Sequence, residues 1–187
     1  MAEREATPEG AEGSTVRRAI PEDAPRVCVH FETQRACGVR WLSIPENSKG
    51  GWRQLIQKAV EKADRELALV AEVDGHFVGF LFCAPLDNFS SSRGSDLQCV
   101  SVLSTYQGRG LGRELMTRLD EWARGPSCRL REITAAVHAE NSDGMRLMER
   151  TGAHLEFKAE RTRNPASSYR WFKLKLTKRR SRKEGTK

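Results

Sequence analysis

Apolar positions change their spacing several times along this chain, and each change marks an element. Residues 15–20, TVRRAI, read as a short strand. Pro21-Glu-Asp then opens a helix running through Val27, Val29 and Phe31, with proline in the first turn and acids beside the positive end of the helix dipole. Residues 38–51 hold Pro45, Gly50 and Gly51 and read as a loop that carries Trp41. A second helix, Trp52 to Lys62, gathers Trp52, Leu55, Ile56, Ala59 and Val60 on one side. LALVAEV and HFVGFLFC follow, joined by Asp74-Gly75 alone, which predicts a hairpin closed by a type I′ turn. Pro85 ends the second of these strands, Asn88 to Ser95 is a polar loop, and Asp96 to Leu103 is a further apolar strand.

After Gly110 the spacing of Leu111, Leu115, Leu119 and Trp122 is helical, and the helix stops at Gly125-Pro126. EITAAV is the next strand, a short helix with Met145, Leu147 and Met148 is closed by Gly152, and HLEFKAE is another strand. From Tyr169 a last strand puts Phe172, Leu174 and Leu176 on one side and Trp171, Lys173 and Lys175 on the other. The order predicts an α/β (α+β) domain: a mixed sheet of about seven strands with four helices. Crossover helices lie between the later strands, where parallel pairing is expected.

A chain of 187 residues is expected to form one domain with a sizeable core. Residues 1–14, rich in Gly, Ala, Glu and Pro, are expected to be disordered; 15–177 form the domain and 178–187 a basic tail. No apolar run approaches the roughly 18 residues of a spanning helix, and the N-terminus lacks the apolar core of a signal peptide, so no membrane role is expected and the cytoplasm is the expected compartment. Five scattered cysteines and four histidines make no ligand-like spacing, so no metal is expected. The net charge of +7 belongs to the end of the chain: eight Lys and Arg and one acid fall between Lys173 and Lys187, while the preceding 172 residues carry 24 of each sign. A neutral body with a charged tail that lacks interleaved aromatics is not a sequence-specific nucleic-acid binder.

The chemistry lies in Val100-Ser-Val-Leu-Ser-Thr-Tyr-Gln107-Gly108-Arg109-Gly110-Leu111-Gly112-Arg113. A strand runs through three glycines directly into an amphipathic helix, whose first N–H groups have no internal partner. Those donors, the dipole and two arginines make an anion site suited to phosphates. The Gly-x-Gly-x-Gly spacing is neither the GxGxxG of dinucleotide binders nor the GxxxxGK[ST] of a P-loop.

QGRGLG resembles the Q/R-x-x-G-x-G/A acetyl-CoA signature of the GNAT superfamily of N-acetyltransferases, and it stands after the fourth strand, as in that family. Asn141-Ser-Asp-Gly-Met-Arg-Leu-Met-Glu-Arg-Thr-Gly152 is similar to the family's second signature. The order of elements agrees over residues 15–177. The resemblance implies a mostly antiparallel sheet with splayed central parallel strands and acetyl-CoA as cosubstrate. It implies that the backbone of Val100, Ser101 and Val102 pairs with the pantetheine arm, that Gln107, Gly108, Arg109, Gly110, Leu111, Gly112 and Arg113 form the pyrophosphate loop, and that Asn141 contacts the pantetheine or adenine side. Many relatives form dimers, so a homodimer is among the assemblies the resemblance allows.

The resemblance also shows departures. The family's proton-donating tyrosine falls at Met148, with Tyr106 and Tyr169 as substitutes, and the ribosomal-protein-type glutamate falls at Ala136. The histone-type base falls at Asp96, a carboxylate on an otherwise apolar strand whose pKa burial would raise. Glu72 is a second candidate. Trp41 is a candidate acceptor wall. The reaction expected is acetyl transfer to a primary amine of a small molecule. Protein N-acetylation and a non-catalytic CoA-binding domain are the competing readings.

Overall fold

A computed structural model of the chain describes residues 13–37, 51–85, 94–128, 130, 132–151, 154–159 and 169–175. The loop with Trp41, most of the 88–95 loop, Gly152, most of the N-terminal segment and the basic tail lie outside the described residues. The strands are β1 (Ser14–Arg18), β2 (Leu67–Val73), β3 (His76–Ala84), β4 (Gly94–Val102), β5 (Glu132–His138), β6 (His154–Ala159) and β7 (Tyr169–Lys175). The helices are α1 (Ala24–Ala36), α2 (Gly51–Glu61), α3 (Leu111–Arg124) and α4 (Ser142–Arg150), with short 3-10 turns at Pro21–Asp23 and Ser104–Tyr106.

One seven-stranded sheet runs in the order β1-β2-β3-β4-β5-β7-β6. Asp74 and Gly75 both take positive φ, 51° and 76°, so the β2–β3 hairpin turns as its Asp-Gly pair requires. All neighbours are antiparallel except β4 and β5. The expectation of parallel pairing among the later strands therefore holds at one junction. β7 returns antiparallel between β5 and β6, so the crossover through α4 does not join neighbours.

Strand alternation sends apolar side chains to both faces, and each face carries its own core. Leu115, Met116 and Leu119 of α3 and Met145 and Met148 of α4 pack against Leu69, Leu81, Ile133 and Phe172 on one side. Phe31 of α1 and Trp52 and Ile56 of α2 pack against Val70, Phe80 and Phe82 on the other. There Trp52 stacks on Phe31 with ring centroids 5.0 Å apart. Two apolar residues of these helices, of which Val60 was expected on the apolar side of α2, are not in the core. Val29 is 61% exposed and Val60 48%, because Val29 lies roughly 200° round the helix from Val27 and Val60 about 100° from Ala59.

Two strands start earlier than their patterns suggest. β1 includes Ser14, beside Gly13, whose carbonyl accepts from the Asp74 N–H at 3.2 Å. β4 begins at Gly94, so Asp96 stands inside the strand rather than at its start. β4 and β5 pair only through Gly94–Glu132, Ser95–Ile133 and Asp96–Thr134. Beyond that point Gln98 is an extra residue in β4, between Leu97 opposite Cys83 and Cys99 opposite Phe82, and a bulge of this kind bends and twists its strand. The two parallel strands part there, forming a fork.

Trp52→Ala should cost roughly 3–5 kcal/mol of stability, since it empties the stacked site between α1 and the sheet. Urea unfolding followed by circular dichroism measures this, and a loss below about 1 kcal/mol would show that the α1–α2 layer does not rely on that ring.

Candidate active site

The backbone of β4 above the fork has a defined direction. The Leu103 N–H donates to the Val78 carbonyl at 2.8 Å, so Leu103, and with it Ser101, turn their backbone groups toward β3. Val100 and Val102 alternate with them and face the side of β5, which has stopped pairing at Asp96. The Val102 carbonyl is already taken twice, by Gln34 Nε2 at 2.9 Å and Gln107 Nε2 at 3.0 Å. The Val102 N–H and both backbone groups of Val100 are left facing the gap, suited to a ligand that pairs like a strand.

At the open end of the fork the chain turns through Gly108 and Gly110, at φ 77° and 85°, into α3. Neither glycine has another atom within 4 Å of where a Cβ would stand, so the backbone is uncovered there. Gly110 is the N-cap and has no side chain to cap with; the first helical bond runs from Glu114 N–H to the Gly110 carbonyl at 3.0 Å. The N–H groups of Leu111, Gly112 and Arg113 are therefore the open donors of the first turn. Arg113 is exposed, and the Arg109 guanidinium lies over the Tyr106 ring, 5.0 Å from its centre. Uncovered glycine backbone, open donors, the positive end of a 14-residue helix and two arginines fit a diphosphate. Leu111 is buried and offers only backbone, and a Cβ on Gly112 would meet Leu147 of α4 at 3.8 Å.

Asn141 caps α4, its Oδ1 accepting the Gly144 N–H at 2.9 Å. Because β4 and β5 are parallel, this cap and the glycine loop stand at the same carboxyl edge of the sheet, where ligands of such sheets bind. Gln107 is brought to the loop, but its amide turns back to Val102 as a strut rather than toward the glycines.

Asp96 sits at the closed end of the fork, 8% exposed, with Thr134 Oγ1 donating to its Oδ1 at 2.9 Å. Burial pushes its carboxyl up to about 6, against the hydrogen bond from Thr134, which lowers it. It is four residues from Val100, about 13 Å of extended strand, so water must link it to chemistry at the Val100 N–H. Glu72 does not qualify as a base. Arg17 and Arg26 hold its carboxylate at 3.1 Å and 2.7 Å and keep it below the usual carboxylate range, where it has little affinity for a proton.

The tyrosine substitutes separate. Tyr106 lies beneath Arg109, and Tyr169 meets His138 edge-on at 5.3 Å on β7. Met148 is 2% exposed and lines a small apolar cavity with Leu97, Met116, Ile133 and Phe172. That position serves the core.

Two residues of α1 belong to the site although their motif neighbours gave no hint of them. His30 and Gln34 are each 3% exposed. His30 Nε2 lies 3.0 Å from Ser101 Oγ, and Gln34 Nε2 donates to the same hydroxyl at 3.0 Å as well as to the Val102 carbonyl. Burial lowers His30 to about 4, so the ring is neutral. The available signal was polar residues four apart on the stripe of Val27 and Phe31, where a helix covering a sheet is otherwise apolar.

The chain matches the acetyltransferase (GNAT) family over residues 24–153. No curated protein matches it. Among solved structures, a GNAT-family acetyltransferase from Streptococcus pneumoniae superposes with a TM-score of 0.73 at 20% identity, covering 88% of this chain and 99% of that one. An acetyltransferase from Salmonella typhimurium, solved with its cofactor acetyl-CoA, gives 0.70 at 19% identity, covering 90% and 96%. Spermidine N-acetyltransferase from Vibrio cholerae, in complex with CoA and spermine, gives 0.66 at 17%, covering 88% and 96%. At these identities the likeness to solved structures is one of fold. The family match spans most of the chain and includes β4, the glycine loop and α4, and the chain therefore belongs to the GNAT acetyltransferase family, as an acetyl-CoA-dependent acyltransferase.

Proposed function

We propose that the chain transfers the acetyl group of acetyl-CoA directly to a primary amine of a small molecule, with Asp96 as general base through water. The observation that carries this reading is the fork: strand-like donors at Val100 and Val102, a diphosphate cradle at its open end and a buried carboxyl at its closed end. A pantetheine arm leaving the glycine loop and lying along β4 brings its thioester toward Asp96. The amine nitrogen attacks the thioester carbonyl while a backbone N–H of Val100 or Val102 receives the developing oxyanion, a contact worth about 3 kcal/mol in other enzymes. Before attack the ammonium form of the acceptor gives one proton through water to Asp96; as the C–S bond breaks, the second proton leaves nitrogen to solvent and the thiolate takes a proton from solvent. No acid is required, since a thiol of pKa about 8.5 is a tolerable leaving group.

Charge supports an amine. Asp96 and Glu66 are both buried at this end of the fork, Glu66 with Lys62 3.9 Å away, so a carboxyl stands where an ammonium group would arrive. A polyamine is one amine to test first, since the spermidine enzyme of Vibrio cholerae shares the fold.

With a panel of amines and acetyl-CoA, thiol release should be seen on primary amines, and silence on every acceptor would sink the transfer reading. Gly110→Glu, which sets a carboxylate among the open donors, should weaken CoA binding by about 100-fold, near 3 kcal/mol, in calorimetry. Asp96→Asn should lower kcat by about 100-fold or more and flatten a pH profile that in the native enzyme rises through about 6. Stability should respond with the opposite sign. Burial raises the folded pKa of Asp96, so its contribution is fully present below the unfolded value near ~4 and is lost as pH rises through about 6. Asp96→Asn should therefore raise Tm relative to the native chain above pH 6, with the gain vanishing near pH 4; a pH-independent difference would show that Asp96 is not held in its protonated form.

A further inference from the structure

We infer that Gln34 is a positioning residue for acetyl transfer: it holds β4 open toward the pantetheine arm by fixing Ser101 and the Val102 carbonyl. The inference rests on the fork being the acetyl-CoA groove. A backbone carbonyl has two lone pairs, and at Val102 both are occupied, one by Gln34 from α1 and one by Gln107 from the glycine loop. A carbonyl filled in this way cannot join a ladder with β5, and it cannot accept a hydrogen bond from the ligand. β4 is therefore prevented from closing on β5 above Asp96, and ligand pairing is directed to the Val102 N–H and to Val100.

Gln34 makes a second contact of the same kind. Its other hydrogen goes to Ser101 Oγ at 3.0 Å, and that hydroxyl also lies 3.0 Å from His30 Nε2. One turn of α1 thus grips two consecutive residues of β4, one by side chain and one by carbonyl. Such a grip fixes the rotation of the strand about its own axis, and that rotation sets where the N–H groups of Val100 and Val102 point. Gln34, His30 and Ser101 are all buried, so none is reached by an acceptor. Gln34 acts through the strand.

The loop and the strand can be probed separately. Adenosine 3′-phosphate 5′-diphosphate carries the diphosphate without the pantetheine arm, so it reports on the glycine loop; CoA reports on loop and strand together. Gln34→Met keeps the length of the side chain and removes the donor. It should weaken CoA about tenfold in calorimetry, raise KM for acetyl-CoA, and leave the nucleotide half bound as in the native chain. Ser101→Ala removes the hydroxyl that Gln34 grips and should show the same split, and the double variant should lose less than the product of the two, since both changes remove one contact. Equal loss of CoA and of its nucleotide half, or no loss of CoA, would overturn the inference. Should Gln34→Met not fold, Ser101→Ala decides alone by the same criterion. If the native chain bound the nucleotide half but gained nothing from the pantetheine arm, the groove reading itself would fall, and with it this one.

Discussion

Parallel hydrogen bonding between β4 and β5 lasts three residues, and much of the surrounding structure keeps it that short. Gln98 bulges β4 where the two strands part. Two glutamine amides, from a helix and from a loop, fill the carbonyl that would resume pairing higher up. An interior strand that leaves backbone groups unpaired forgoes hydrogen bonds that sheets normally make. In the reading proposed above, the same groups are what an extended ligand would pair with. β4 is held on its other side by an antiparallel ladder with β3 that continues on both sides of the bulge and supplies the rigidity that the missing pairs cannot.

The two faces of the sheet divide the work around this gap. α3 and α4 share one apolar core, and their N-terminal ends project to the carboxyl edge of β4 and β5, where the glycine cradle and the Asn141 cap stand. Leu147 of α4 comes close to the first turn of α3, where a Cβ on Gly112 would stand 3.8 Å from it. α1 and α2 cover the opposite face, whose aromatic cluster of Phe31, Trp52, Phe80 and Phe82 anchors the helix that carries His30 and Gln34. Stability on that face and geometry in the fork are therefore linked through α1.

Local signals were legible where one short segment decides the outcome. The Asp-Gly hairpin, the glycine entry to α3 and the amphipathic stripe of α3 each follow from residues within a few positions of one another, and the structure has all three. Helix faces were legible only in part: Val29 and Val60 share the composition of the core but not its angle, and they point to solvent. The motif position Met148 could be read as lacking a proton donor, but not as a member of the core around Leu97 and Phe172. Glu72 was a second candidate for the base. Its neutralisation depends on Arg17 and Arg26, which are 55 and 46 residues distant in sequence.

By itself, then, the sequence determined which segments become helices and strands, where a glycine turn enters α3, and which family the chain resembles, because backbone propensity, turn chemistry and capping act over a few residues. Tertiary structure decided what the site can do with them. Asp96 owes its raised pKa to burial between β3 and β5 beside Thr134, and Val102 owes its saturated carbonyl to Gln34, 68 residues away. Desolvation and long-range hydrogen bonds depend on what surrounds a group in space, and no pattern along the chain specifies those surroundings.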